Sequence, residues 1–172
     1  MSASRVISER LELRPLPALA AAALLENRER ASAIIGASLP EEWPQSDLLP
    51  LLPRQAAASP QRVNFGVWMM IERSSETVIG DIGFFGPPDD SGAVEVGYSV
   101  IPARRRRGYA SEAAHALVEW ALAQPGVQVV VAGCDRDNTP SIRTLERAGF
   151  RRTGETGGQI RWSRHGRVDT RC

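Results

Sequence analysis

Between Pro102 and Ala110 the chain reads Pro-Ala-Arg-Arg-Arg-Arg-Gly-Tyr-Ala, four cations followed by a glycine, an aromatic ring and an alanine. A β-rich run precedes this segment and a helical pattern follows it, so it reads as a strand-to-helix turn. A helix start leaves N–H groups unpaired and carries a partial positive charge, and together these bind an anion, typically a phosphate. Gly108 and the small Ala110 let a phosphate approach the main chain, and the arginines add cationic charge. A basic run can also mark a nuclear-localisation or nucleic-acid patch, but a position at a strand-to-helix turn favours phosphate. The Gly-Lys-Ser/Thr ending of a Walker A loop is missing, and the dinucleotide fingerprint requires three glycines.

Other reactive side chains are sparse. Glu95 alternates with Val94 and Val96, which places it on the opposite face of its strand, as a base or as a solvated carboxylate. His115 falls on the polar face of a helical pattern and His165 near the C-terminus, and neither has a Ser or Cys partner in a nucleophile motif. No Cys/His/Asp cluster has zinc spacing, so no metal is expected. Cys134 ends an apolar strand run and reads as an inert core thiol. All 21 basic residues are Arg, which excludes a lysine Schiff base or a P-loop lysine.

The elements that must position these groups follow from periodicity. Arg10 to Arg14 alternates as a short strand ended by Pro15, and Pro17 opens a helix through the alanines to about Arg30. Five prolines punctuate Leu39 to Pro60, where Asp47 could cap one short helix. Phe65 to Ile71, Val78 to Phe85 and Val94 to Ile101 are β-rich, and their short connections imply antiparallel neighbours. Ala110 to Ala123 follows a helical stripe, and Val127 to Ala132 is a continuous apolar strand. Strand, helix, strand makes a βαβ crossover with parallel strands. A second helix has Thr139 as candidate N-cap, Pro140 at its first position and Gly149 past its end. Arg151 to Glu155 and Gln159 to Arg164 form a hairpin turned by Gly157-Gly158.

With 172 residues and a prior of about 150 per domain, one domain over 1–172 is expected, its core about 9–164. Net charge of +1 provides no global field for nucleic acid or anionic membrane. The longest oily stretch, Leu16 to Leu25, is interrupted by Pro17 and is shorter than the roughly 20 residues a bilayer span needs. Two cysteines, Cys134 and Cys172, make no disulfide framework, and no signal peptide is visible. A cytoplasmic protein with neither a nucleic-acid nor a membrane partner is expected.

Arg105-Arg106-Arg107-Gly108-Tyr109-Ala110 resembles the R/Q-x-x-G-x-G/A signature of the GNAT superfamily of acetyl-CoA-dependent N-acetyltransferases. Around it, Glu95-Val96-Gly97-Tyr98 resembles that family's fourth strand, and Tyr109-Ala110-Ser111-Glu112-Ala113 its following helix. Asn138-Thr139-Pro140-Ser141 with Leu145-Glu146-Arg147-Ala148-Gly149-Phe150 is similar to the N-x-x-S…L-E-x-x-G-F block. The opening Glu9 to Pro15 is similar to the start of the branch that contains ribosomal-protein N-terminal acetyltransferases. The ordered set spans residues 9 to 164.

The resemblance implies an α/β (α+β) fold: a mixed sheet of about seven strands, antiparallel with one parallel splayed junction, with helices on both faces. It implies acetyl-CoA as cosubstrate, its pyrophosphate over Arg105, Arg106, Arg107, Gly108, Tyr109, Ala110 and Ser111. The pantetheine arm would enter where the Val94–Ile101 and Val127–Cys134 strands splay, along Val100 and near Asn138 and Ser141. Asn138 could instead be a turn residue ahead of the helix cap. Attack on the thioester needs a neutral amine, and a lysine-like amine with pKa about 10.4 gains from a base. Glu95 aligns with the glutamate this branch carries and is the candidate base; a free N–H near Gly97 to Ser99 is the candidate oxyanion donor. Ser141 matches a serine that protonates the departing thiolate in some relatives, with a capping role as its alternative. Trp43 is either part of the acceptor wall or core, and Glu41, Glu42 and Asp47 could supply negative potential for an amine. The acceptor is a protein N-terminus or a small primary amine, attacked in a ternary complex. A non-catalytic acyl-CoA-binding sensor is the alternative, and the oligomeric state stays open, a homodimer included.

Overall fold

The computed structural model describes residues 4–166, so Cys172 lies outside the described residues. Eight strands form one sheet: β1 (Val6–Ile7), β2 (Leu11–Pro15), β3 (Val67–Glu72), β4 (Thr77–Phe84), β5 (Ala93–Val100), β6 (Val129–Asp135), β7 (Arg151–Thr156) and β8 (Gln159–His165). Their spatial order is β1-β2-β3-β4-β5-β6-β8-β7. Every neighbouring pair is antiparallel except β5 with β6. One strand more than the expected seven appears because β1 has two residues, too few for any alternation to register.

Burial explains the strands. In β2, Leu11 and Leu13 are inside while Glu12 and Arg14 between and beside them are partly exposed. All six residues of β3 are buried, as befits a strand covered on both faces. The crossover from β5 to β6 runs through α4 (Tyr109–Leu122), whose buried stripe of Ala113, Ala114, Leu117, Val118 and Ala121 lies on the sheet. Trp120 of α4 meets Trp68 edge-on at 4.9 Å and stacks with Phe84 at 6.1 Å. Asp81, on the opposite face of β4 from Phe84, accepts from the Trp43 indole, so the sheet is covered on both sides.

Three expectations about helices are corrected. The single helix from Pro17 to about Arg30 is two, α1 (Ala18–Glu26) and α2 (Arg28–Ile35). Asn27 is extended at φ −148°, and its side chain accepts from the Arg30 N–H, so it caps a new helix and breaks the old one. Asp47 caps nothing: a 3-10 turn at Leu49–Leu51 follows Leu48 with no side-chain cap and leads into α3 (Leu52–Ala56). The N-cap of α5 (Thr139–Arg147) is Asn138, which moves Thr139 and Pro140 into the first turn.

Candidate active site

The register between β5 and β6 creates the site. Their parallel pairing covers only Ala93↔Val129, Val94↔Val130 and Glu95↔Val131. β5 continues to Val100 and β6 to Asp135, and β6 stays paired with β8 throughout, so the two strands diverge beyond Glu95. On its other edge, β5 donates from Ile101 N–H to Ile79 C=O and accepts at Glu95 C=O from Phe85 N–H. Strand alternation then turns the main-chain groups of Glu95, Gly97, Ser99 and Ile101 toward β4. Those of Tyr98 and Val100 face the gap.

The arginine-rich turn closes one end of this gap. A 3-10 turn at Pro102–Arg104 precedes Arg106 at φ +62° and Gly108 at φ +79°. The left-handed backbone at Gly108 suits glycine, since a Cβ there is strained. The first helical bond is Glu112 N–H to Gly108 C=O, and the N–H groups of Arg106 to Ser111 donate to no acceptor among the described residues. Six such donors at the start of a 14-residue helix are an arrangement able to cradle an anion.

The four arginines divide. Arg104 donates to Glu72 at 3.2 Å, and Arg105 to the Val100 carbonyl at 2.9 Å and to Gln45 at 3.1 Å. These two fasten the turn to β3, to β5 and to the proline-rich segment. The exposed side chains of Arg106 and Arg107 pair with no described residue, which leaves them for an anion. Behind the turn, Glu72 accepts from Ser75 at 2.6 Å and Tyr109 at 2.6 Å as well as Arg104. Hydrogen bonds from Ser75, Tyr109 and Arg104 outweigh burial and hold the Glu72 carboxyl below the ordinary range, while the same carboxylate pushes the Tyr109 phenol up. Arg10 lies over the Tyr109 ring at 4.1 Å, donates to Glu112 at 2.8 Å and caps the Arg107 carbonyl at 2.8 Å.

Across the gap, Asn138 accepts from Ser141 N–H at 3.1 Å and is itself the cap of α5, not a turn residue ahead of it. The Ser141 hydroxyl lies 2.7 Å from the Tyr98 hydroxyl, and burial pushes the Tyr98 phenol up, so Tyr98 is protonated at neutral pH. Glu95 points away from buried Val94 and Val96, as alternation requires, and sits 3.4 Å from the Arg161 guanidinium. His115 is exposed, and Cys134 is buried with its sulfur 3.3 Å from the Trp162 indole nitrogen. Among the described residues no group of three or more His, Cys, Asp or Glu gathers as metal ligands.

On the Glu95 face of the sheet, a cleft of about 310 Å³ lies between β4, β5 and the segment from Asp47 to Leu51. Gly97 forms part of its floor; a Cβ there would stand 3.1 Å from the Phe85 ring. Trp43 is fully buried, which makes it core, yet its indole N–H holds Asp81 at 3.1 Å and Asp81 lines the cleft. Burial pushes the Asp81 carboxyl up to about 7; the Trp43 hydrogen bond opposes this, and the negative charge of Asp47 adds to it. Sequence reasoning passed over Asp81, whose one signal is a carboxylate inside an apolar strand run, and over Tyr98, Glu72 and Arg10.

A helix start with free N–H groups beside a sheet that splits at a parallel junction is a binding arrangement for an extended, phosphate-bearing group. The family model for the Acetyltransferase (GNAT) domain matches residues 10–151. The chain is 33% identical over 144 residues to the uncharacterized N-acetyltransferase YjdG of Bacillus subtilis (strain 168), covering 82% of this chain and 84% of that one. RimL, the ribosomal L7/L12 α-N-protein acetyltransferase, shares the fold with a TM-score of 0.67 at 17% identity, over 96% of both chains. The microcin C7 self-immunity acetyltransferase MccE, solved in complex with acetyl-CoA and AMP, does so with a TM-score of 0.64 at 17% identity, over 92% of this chain and 93% of that one. The class is thus an acyltransferase. The chain belongs to the GNAT acetyltransferase family, as an N-acetyltransferase.

Proposed function

We propose that the protein moves the acetyl group of acetyl-CoA onto a primary amine by direct attack in a ternary complex. The observation that carries this reading is the run of six unpaired N–H groups from Arg106 to Ser111 at the mouth of the β5–β6 gap. A pyrophosphate over these donors, flanked by Arg106 and Arg107, leaves the pantetheine arm to run along β5 as an added strand. The free N–H and C=O of Tyr98 and the Val100 N–H pair with it; the Val100 carbonyl is held by Arg105. MccE, which shares the fold, is solved with acetyl-CoA, which supports the cosubstrate.

The thioester carbonyl then lies near Tyr98 N–H, a donor for the oxyanion that forms as the amine nitrogen attacks the carbonyl carbon. As the tetrahedral species collapses, the C–S bond breaks and the thiolate takes a proton from Ser141. The Ser141 hydroxyl is re-protonated in the same step through the Tyr98 hydroxyl 2.7 Å away, which in turn draws a proton from solvent. The amine proton goes to Glu95. Glu95 lies on the same face of β5 as the cleft, and a water carries the proton to it.

Gly108→Val tests the anion cradle. The Cβ position lies 3.5 Å from Arg10 and 4.0 Å from Ser111, so neighbours tolerate it, while a branched residue at φ +79° distorts the donors. Calorimetry should show coenzyme A affinity reduced by about tenfold or more, with unchanged far-ultraviolet circular dichroism. Unchanged affinity in the folded variant sinks the assignment.

A further inference from the structure

The cleft between β4, β5 and the Asp47–Leu51 segment holds a carboxylate to which the described residues supply no counter-charge. Asp81 is buried, with 8% of its surface exposed. One of its oxygens accepts from the Trp43 indole at 3.1 Å, and the other accepts from no donor among the described residues while Asp81 lines the cleft. No Arg is among the lining residues, and the charge acting on Asp81 is that of Asp47, of the same sign. Glu95, by contrast, has Arg161. A buried carboxylate without a counter-ion is costly, and a neutral Asn would satisfy the Trp43 indole equally well. The missing partner is a cation, and an amine acceptor brings one. Around the carboxylate the walls are apolar, with Leu48, Leu51, Val67 and Phe85. A second hollow of about 350 Å³ shares Leu51, Val67 and Phe85 and prolongs the apolar surface toward Arg54 and Arg62, which line that hollow and not the cleft at Asp81. Asp81 faces Ser99 across the ladder, four residues along β5 from Glu95, or about 13 Å at roughly 3.3 Å per residue. The two carboxylates therefore flank the stretch of β5 where the thioester would lie.

We propose that Asp81, backed by Asp47, receives the ammonium group of the acceptor, and that the cleft selects amines carried on an apolar body. This deepens the acetyl-transfer reading and rests on it for the direction in which the acetyl group arrives. With its carboxyl pushed up to about 7, Asp81 is partly protonated near neutrality, and an arriving ammonium draws it into the ionised form.

Two probes separate the sources of this chemistry: 2-phenylethylamine for small molecules and a leucine-led tripeptide amide for protein N-termini. Each is titrated by calorimetry into the protein alone and into the protein saturated with coenzyme A. One or both should bind, Asp81→Asn should weaken that binding by about tenfold or more, and coenzyme A affinity should stay unchanged. The N-acetylated probes, which lack the cation, should bind weakly to every form. Asp47→Asn, at an exposed position that leaves the fold intact, should weaken binding by a smaller factor and decides the matter if Asp81→Asn does not fold. Probe binding insensitive to both substitutions, no binding of either probe to the wild type, or a lower kcat at unchanged affinity would overturn the proposal. Failure of coenzyme A to bind would instead remove the acetyl-transfer reading, and the titrations without coenzyme A would still report on Asp81.

Discussion

Glu95 and Ser141 are the residues on which the proposed chemistry turns, and their surroundings differ. Ser141 is held by a phenol at 2.7 Å, so its hydroxyl has a fixed donor–acceptor partner through which a proton can be replaced. Glu95 is ion-paired with a half-exposed arginine at 3.4 Å, a contact worth little to stability. Glu95→Gln keeps the shape and removes the basic oxygen. With a lysine-like acceptor, kcat should fall by about 10²–10⁴-fold at neutral pH while acetyl-CoA affinity holds. The deficit should shrink as pH rises toward the amine pKa, because solvent then supplies the neutral nucleophile. A drop below about threefold at every pH, or a loss confined to melting temperature, would assign Glu95 a structural role.

At the scale of elements, the start of α4 is the part most heavily braced. Glu112 accepts from Ser8 at 2.6 Å, from Arg10 N–H at 2.9 Å and from the Arg10 side chain at 2.8 Å, tying the β1–β2 turn to the helix. Arg10 in turn holds the Arg107 carbonyl, so the same brace shapes the turn proposed to hold the pyrophosphate. Burial raises the Glu112 pKa, but these hydrogen bonds and the Arg10 charge outweigh it and leave it lowered. A carboxyl with a lowered folded pKa stabilises above its unfolded value and loses that contribution as pH falls through the folded one. Glu112→Gln should therefore cost about 2 kcal/mol at pH 7 in denaturant unfolding. The difference from wild type should fade well below pH 4.5, the ordinary glutamate value. Equal stability at pH 7 would show that the brace is dispensable. Coenzyme A affinity should weaken alongside, since the Arg107 carbonyl loses its oriented partner.

Taken whole, the molecule is one sheet whose halves meet at the short β5–β6 junction, with the proline-rich segment folded over one face. Its own Trp43, Leu48 and Leu52 are buried against the sheet side of the molecule, and its Gln55 donates to the Leu16 carbonyl at 2.7 Å and accepts from Val67 N–H at 3.0 Å. The segment is thus part of the core, and the charge it helps to bury acts on global stability. Asp81 ionises near 3.8 when unfolded and near 7 when folded. Between those values the unfolded chain releases its proton first, so stability falls as pH rises from about 4 to about 7 and is flat above. The full difference amounts to about 4 kcal/mol. Asp81→Asn abolishes this slope, so its melting temperature relative to wild type should climb between pH 5 and pH 8. A constant offset across that range would mean that the carboxyl titrates as in solvent.

The amino-acid sequence by itself determined the parts of this protein that depend on neighbours along the chain. The stripe of α4 from Ala113 to Ala121, the strand runs from β3 to β6, the Gly157-Gly158 hairpin and the strand-to-helix turn at Arg105 to Ala110 were all legible. Periodicity, unpaired helix N–H groups and turn chemistry act within a few residues. Where two local signals compete, legibility failed: good helix formers hid the Asn27 break, and Pro140 drew the cap of α5 one residue late. Only the tertiary structure decided where β5 and β6 part, since register depends on what each strand packs against. It alone brought Trp43 onto Asp81 across 38 residues and Arg10 onto Glu112 across 102. Asp81 reads as one polar residue in an apolar strand until burial without a cation changes its chemistry. Burial and opposing charge belong to the packed molecule, and no spacing along the chain records them.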